Sequence, residues 1–452
     1  MKLSNDLQLP LALFFVMATL SFSACRQDDD DSVPFSATDQ QLENLLASIS
    51  PDGQAAFRLP ESDDFVSIPQ DPNNPLTATK VLLGKLLFHE TGLAINPMDE
   101  RGRGEYSCAT CHFAQGGFQA NRFQGIGEGG VGFLDREASI GYAEDQLDVQ
   151  PIRTPAALNA AYQDVMLWNG QFGATGTNEG TEAFWTPETP IATNTLGYQG
   201  LEIQAIAGLG VHRQAIDQDS LTALNYDGLF EEAFPDWPAT DRITTETAGL
   251  AIAAYERTIL ANRSPWQLWL RGQYDRMTEM EKQGAILFFG EAGCVSCHSG
   301  PSLASMSFHA VGMDDLDRCP EPTFGTSPDA PANLGRGGFT GQEEDRYRFK
   351  TPQLYNLSDS PFYGHGASFF SIREVLEYKN AGISQNDRVP STALSAEFVP
   401  LNLSTEEINE LTAFLSQSLR DPDLIRYVPE AVLSGNCIPN NDPGTKMDLN
   451  CD

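Results

Sequence analysis

Residues 105–113 read EYSCATCHF and residues 291–300 read EAGCVSCHSG, so the chain carries C-x-x-C-H twice. No other feature narrows the available folds as much. On a helical turn the two sulfurs lie on one side, where they can add to the two vinyl groups of a haem, and the next imidazole projects onto the iron. That reading assigns two covalently bound haem c groups, one to Cys108, Cys111 and His112 and one to Cys294, Cys297 and His298. His112 and His298 are then the proximal iron ligands. Four thiolates could instead hold zinc. Zinc-ribbon pairs, however, lie about 15–20 residues apart, whereas these lie 186 apart, and zinc needs no histidine beside each pair. A thioredoxin-type redox pair wants a βαβ setting, which the pattern lacks.

The N-terminus points to export. Lys2 is followed by an uncharged run over 7–24 that stops at Cys25, too short and wrongly flanked for a stable membrane span. Residues 1–24 therefore read as a signal peptide. Ser23 and Ala24 before Cys25 resemble a bacterial lipoprotein cleavage box, with Phe22 where leucine is usual. The expectation is a protein of the periplasm or cell envelope, lipid-anchored to the outer membrane at Cys25, with ordinary secretion as the alternative. Residues 25–38, with four aspartates at 28–31, form an acidic tether. The formal net charge of −34 excludes nucleic acid as a partner, because phosphate binding needs a basic surface. A basic protein would be steered in by the same field. Of eight cysteines, Cys319, Cys437 and Cys451 remain outside these motifs. Cys437–Cys451 would close a small loop in the tail, and Cys319–Cys437 is the competing pair.

Helical periodicity predicts helices over 39–48, 77–88, 154–162, 244–260, 277–289, 371–381 and 405–418, the last opened by the capping box STEE at 404–407. Residues 116–141, 169–200 and 320–339 read as long loops. Strands are scarce. The class is mainly α, in two halves that each carry one cysteine cluster after a helix.

These residues carry a resemblance. The blocks LGKLLFHETGL, SCATCHFAQGGF, RTPAALNAAY and LWNGQ, then GAILFFGEAGCVSCHSGPSLASMSFHAVGM, LGRGGFTG, FKTPQLYNLSDSPFYGHGAS and SIREVLEY, are similar in content and order to the bacterial dihaem cytochrome c peroxidases, whose relatives include tryptophylquinone-forming enzymes. Coverage runs from about residue 82 to 419. The resemblance implies two cytochrome c-like haem domains packed against each other with long connecting loops. They would occupy 39–265 (peroxidatic) and 266–430 (electron-transfer), with 431–452 a cysteine-containing tail. It implies peroxide binding at the first haem, electrons entering at the second from a small donor protein, and a bridging tryptophan, here Trp168. It also admits a homodimer.

The chain departs from the family at several sites. Many members close the peroxide haem with a second histidine in the following loop, but 113–141 holds none, so the expectation is an open or water-filled sixth position at the His112 haem. The family's distal glutamine corresponds to Gln204 in LEIQA. Where a distal glutamate should follow, the chain reads GVHRQ, offering His212 as proton shuttle and Arg213 as charge stabiliser beside Gln214, with Glu202 the fallback carboxylate. At the second haem the usual methionine position falls on Lys379, beside Tyr378, and either would lower the potential relative to His/Met ligation. Family calcium between the haems would use carbonyls matching Ser360 and Phe362, but Arg153 replaces the expected asparagine. His309 and His365 read as structural, and His89 as uninvolved in catalysis. Three functions compete: reduction of hydrogen peroxide to water with a small redox donor, high-valent oxidation of a protein or organic substrate, and electron transfer without catalysis.

Overall fold

The computed structural model describes residues 35–451; the signal segment, Cys25 and most of the acidic tether lie outside them. Helix α1 (Ala37–Ile49) opens on a capping box between Ser36 and Asp39. It is followed by α2 (Ala78–His89), α3 (Gly200–Val211), α4 (Gln218–Ala223), α5 (Asp227–Ala233), α6 (Thr245–Arg257), α7 (Pro265–Leu270) and α8 (Glu279–Phe289). The remaining helices are α9 (Gly337–Thr340), α10 (Ile372–Ala381), α11 (Thr405–Ala413) and α12 (Pro443–Leu449). Two antiparallel ribbons of two-residue strands, β1 (Gly130–Val131) with β2 (Glu137–Ala138) and β3 (Phe308–His309) with β4 (Phe349–Lys350), are the only named strands among the described residues. The mainly α class is what the chain shows.

Two helix crossings organise the frame. Helix α2, which leads to the first cysteine pair, packs against α6, and α8, which leads to the second, packs against α11. Each crossing is closed by a glycine. A Cβ on Gly84 would lie 1.8 Å from the Ala251 carbonyl oxygen, and one on Gly284 would lie 2.0 Å from that of Glu410. Only hydrogen in place of a side chain lets these backbones approach so closely. Helix α1 crosses back onto α8, where Asp39 accepts from the Trp269 indole at 2.8 Å and pairs with Lys282 at 2.7 Å. One apolar cluster, including Leu83, Leu87, Ala251, Phe288 and Phe414, runs through both halves.

Most of the expected helices form, and the Ser404–Glu407 capping box is present in α11. The helix expected over 154–162 does not form; only Ala160–Tyr162 makes a 3₁₀ turn. The amides there are spent elsewhere: Ala157 donates to Phe118, Asn159 donates to Ile259, and Asn159 adopts φ 57°. The periodicity at 405–418 continues past α11 as a π turn over Phe414–Ser418 rather than as α-helix. Helix α3 was not anticipated; its sequence is apolar nearly all round, so it lacks the one-sided pattern that announces a surface helix. In the tail, Cys437 and Cys451 form the disulfide, leaving Cys319 a free thiol. The tail is pinned to the β1–β2 ribbon by the buried Asp442–Arg136 pair at 2.7 Å. No helix among the described residues is long and apolar enough to cross a membrane.

Candidate active site

The two C-x-x-C-H segments fold alike. Cys108–Thr110 and Cys294–Ser296 each make a 3₁₀ turn, and the amides of His112 and His298 donate back to the carbonyls of Cys108 and Cys294. Each turn is followed by a short antiparallel bridge, Phe113 with Gln119 and Ser299 with Ala304. Within it a bulky residue sits in the left-handed region, Phe118 at φ 56° and Leu303 at φ 49°. Such a conformation costs of order 1–3 kcal/mol in a non-glycine residue. Its effect is to aim a carbonyl at the histidine. His112 Nδ1 donates to Phe118 O at 3.1 Å, and His298 Nδ1 donates to Leu303 O at 3.1 Å, with Pro352 O also at 3.1 Å. The tautomer is thereby set and Nε2 is left for iron, the usual way a ligating histidine is oriented. Burial pulls both imidazoles down to about 4, so both are neutral at pH 7.

Around His112 the environment is polar and charged. His212, the C-cap of α3, faces the buried Asp148, whose carboxylate accepts from its Nδ1 at 2.9 Å. His212 is near enough to act electrostatically on His112, and Asp148 on Cys111. Burial lowers the His212 pKa, but the charge and hydrogen bond of Asp148 outweigh it and hold the imidazole above its ordinary value. Gln204 lies two turns back along α3 in the same broad stripe. The buried amide of Gln214 places its oxygen 3.7 Å from Cys108 Sγ and leaves Nε2 unpaired.

Two residues expected near this haem are engaged elsewhere. Arg213, at φ 56°, gives its guanidinium to Glu128 at 2.5 Å and to the carbonyls of Gln146 and Leu147, clamping the 128–147 loop rather than pointing a free charge at a substrate. The fallback carboxylate Glu202 is sealed in the core against Arg257, with bonds of 2.8 and 2.6 Å. Two groups were missed. Asp148 lies 64 residues from its partner in a segment without any motif. Glu256 is buried, with Oε2 unpaired and its carboxyl pushed up to about 8 by burial and by Glu202, and it lies near enough to Cys108 to act on it. A signal for Glu256 existed, since it interrupts the apolar face of α6.

The second site opens into a cavity of about 340 Å³ lined by His298, Cys294, Cys297, Trp168, Met313 and Lys379. Lys379 enters it from α10 with Nζ 5.3 Å from the centre of the Phe398 ring and no hydrogen-bond acceptor among the described residues. Burial draws its amine down to about 8. Tyr378 turns away: its hydroxyl donates to Val311 O and accepts from the Gln385 amide. Trp168 is half-buried because its ring faces the cavity; its indole N–H donates to Arg153 O at 2.8 Å, and its ring lies 6.4 Å from that of His365. His365 bonds Asp315 at 3.0 Å and stacks on Phe349, and His309 accepts from or donates to Ser307 at 2.9 Å. His89 is buried with Nδ1 on Lys85 O.

Between the sites Arg153 is buried, bonds Ser360 Oγ at 2.9 Å and keeps Nε unpaired. The Ser360 carbonyl already accepts from Phe362 N at 2.8 Å. A buried cation on the residue expected to supply a ligand carbonyl does not suit a dication, and no group of three or more His, Cys, Asp or Glu side chains gathers as a metal site among the described residues. For haem the fit is good. Free thiols flank an imidazole with Nε2 available at both turns, an apolar cavity adjoins the second, and unpaired polar atoms lie close by, those of Gln214 and Glu256 near Cys108 and that of Arg153 on a residue lining the cavity.

A nearly strandless helical frame holding two such histidines defines a protein built to carry two haems. A family model described as di-haem cytochrome c peroxidase matches residues 78–275. The methylamine utilization protein MauG of Methylorubrum extorquens is 28% identical over 374 residues, 82% of this chain and 86% of that one. The cytochrome-c peroxidase IdrP1 of Denitromonas iodatirespirans is 27% identical, covering 84% of this chain and 91% of its own. A solved MauG-like protein associated with microbial copper homeostasis shares the fold, with a TM-score of 0.58 at 24% identity over 81% of this chain and 96% of that one. Over residues 78–275 the chain is similar to the di-haem cytochrome c peroxidases, and along most of its length it resembles MauG proteins and cytochrome c peroxidases, which are oxidoreductases.

Proposed function

We propose that the protein reduces hydrogen peroxide to water with electrons from a small redox protein, using residues 39–265 as the peroxidatic half and 266–430 as the electron-transfer half. The observation that carries this is the inequality of the two sites: an acid–base pair beside one proximal histidine and an apolar, amine-lined cavity beside the other. Bound through thioethers to the cysteine pairs, two haem c groups supply the one-electron redox centres that a two-electron acceptor needs. The balance is one peroxide, two electrons and two protons to two waters. His212, held by Asp148, takes the proton from the near peroxide oxygen and returns it to the far one. Gln204 offers its amide as a hydrogen-bond donor from the same side of α3, and Arg213 acts indirectly by fixing the loop that carries Asp148.

Trp168 is the bridge between the halves, since it lines the second cavity while its indole N–H is tied to Arg153 at the junction. Lys379, in preference to Tyr378, would help hold the haem of the His298 site, because its amine alone of the two is unengaged. Calcium is not part of this reading, given the Arg153 guanidinium. The donor is a basic protein attracted by the net charge of −34. Export to the periplasm or cell envelope and lipid anchorage at Cys25 rest on the N-terminal sequence, and the Cys437–Cys451 disulfide suits an oxidising compartment. A homodimer is kept as part of the family expectation.

A second reading, oxidation of a protein or organic substrate, is favoured by one observation: the usual methionine position holds Lys379. The test is to mix holoprotein matured in a cytochrome-assembling host with hydrogen peroxide and a reduced basic cytochrome c. Rapid donor oxidation supports peroxide reduction. A long-lived oxidised spectrum with little donor turnover supports the second reading, and silence at both haems removes both.

A further inference from the structure

Each proximal histidine begins a row of aromatic rings, and the two rows end differently. From His112 the row runs through Phe88, 6.4 Å away, to Tyr255, 5.3 Å further, and stops inside the core where the Tyr255 hydroxyl meets the Tyr427 carbonyl. From His298 the row runs through Phe288 at 6.5 Å and Phe289 at 5.0 Å to Trp266 at 5.3 Å. Trp266 stacks on Trp269 with 5.4 Å between centroids and only 5° between planes, and Trp269 meets Tyr274 at 5.7 Å. Both indoles are fully buried, whereas Tyr274 is half-exposed.

Packing explains stacked rings, but it does not explain their proton acceptors. Indole and phenol are the readily oxidised rings among the side chains, and loss of an electron makes the N–H or O–H strongly acidic, so oxidation is eased when a carboxylate already holds that proton. The Trp269 N–H donates to Asp39 at 2.8 Å, and the Tyr274 hydroxyl donates to Glu43 at 2.7 Å. Both carboxylates come from α1, the helix that crosses from the start of the described chain onto the second half. Further contacts, from Lys282 and Ser36 to Asp39 and from Gln54 to Glu43, keep them in place. The buried row from His112 has no such carboxylate at its Tyr255 end.

We propose that Trp266, Trp269 and Tyr274 form a second electron route into the His298 site, ending at a surface phenol that is oxidised by one electron when peroxide is turned over without donor protein. This rests on the peroxide reaction proposed above. Peroxide is the two-electron oxidant, so each peroxide drawn through this route oxidises Tyr274 twice, one electron at a time. In each pass an electron leaves Tyr274 and moves through the two indoles towards the second haem site, the phenolic proton moves to Glu43, and a neutral phenoxyl remains. A small reducing phenol or aromatic amine at the surface restores Tyr274 after each pass by giving one electron and one proton, so two reductant molecules are oxidised for each peroxide reduced to two waters.

The test uses the holoprotein, hydrogen peroxide, no donor, and the spin trap 2-methyl-2-nitrosopropane. Freeze-quench EPR is expected to show a tyrosyl signal, and peptide mapping an adduct on Tyr274. Tyr274→Phe should abolish that adduct while leaving peroxide-dependent oxidation of reduced cytochrome c unchanged. Glu43→Gln keeps the ring and an acceptor oxygen but removes the base, and should lower the adduct several-fold. A radical unaffected by Tyr274→Phe, or an adduct confined to other residues, overturns the relay while the peroxide reaction stands. A holoprotein with no peroxide reaction at all overturns both.

Discussion

The two histidines are held by the same device and look out on different chemistry. At each, a left-handed bulky residue turns a carbonyl onto Nδ1, so the proximal geometry is repeated down to the backbone torsion. Beyond the ring the likeness ends. The first motif has the His212–Asp148 pair near His112 and Gln214 and Glu256 near Cys108, whereas His298 lines a mainly apolar cavity that Lys379 enters without a hydrogen-bond acceptor among the described residues. A duplicated scaffold thus holds the two histidines alike, and the surrounding helices give them different neighbours. On the proposed reading, role follows from those neighbours and not from the ligand motif.

The comparison breaks first at His212. His212→Ala is expected to lower peroxide-dependent donor oxidation by roughly 10²–10⁴-fold, the range for a positioned acid–base group, with the visible spectrum of the second haem unchanged. Stopped-flow traces with reduced cytochrome c measure it. Equal loss in a variant at the second site would mean that the division of labour is wrong. Next comes Lys379→Met, which substitutes a thioether for an amine in the His298 cavity. The potential of that haem alone should rise, by on the order of 0.1 V within the roughly 0.8 V that axial ligands span. Spectroelectrochemistry reads this directly, and an unchanged potential would show that Lys379 does not ligate.

A smaller effect probes the likeness itself. Gly84→Ala and Gly284→Ala both push a methyl into a facing backbone carbonyl, at 1.8 and 2.0 Å. Each should cost roughly 1–3 kcal/mol through overpacking, seen as a lower Tm, and the two costs should match if the α2–α6 and α8–α11 crossings are equivalent supports.

What could be read from the sequence follows the same division. The repeated scaffold was legible because its parts are local: C-x-x-C-H lies within five residues, and the helices leading to it show their period. Trp168 and Lys379 stand out through blocks whose order resembles a family, and the structure brings both to one cavity. Of the pair near the first motif, only one member can be picked out from the sequence. His212 announced itself where a glutamate was expected, but nothing in QLDVQP marks Asp148 as its partner across 64 residues. Arg213 was read as a free charge because sequence cannot show that its backbone turns left-handed and sends the guanidinium to Glu128. The Cys437–Cys451 pairing is one of two alternatives the sequence offers, and the structure shows it with Cys319 left free.

The smallest effect tests how the acid–base pair is tuned. Burial alone would pull His212 below its ordinary value near 6.5, and the Asp148 carboxylate reverses that sign. Asp148→Asn keeps an oxygen to accept from Nδ1 and so keeps the ring oriented, while removing the charge that favours imidazolium. As a base, His212 works in its neutral form, so wild-type activity should rise with pH through a midpoint above about 6.5. In Asp148→Asn the charge that raises it is gone, so the midpoint should fall from the wild-type position and the variant should keep more of its plateau rate in mild acid. The same shift has a stability signature with a fixed sign. Because the folded value is raised, His212 contributes stability that is complete below the unfolded value and is lost as pH rises through the folded one; Asp148→Asn should remove that loss. A pH–rate midpoint unmoved by Asp148→Asn would mean that the titrating group lies elsewhere, with Glu256 the next to examine.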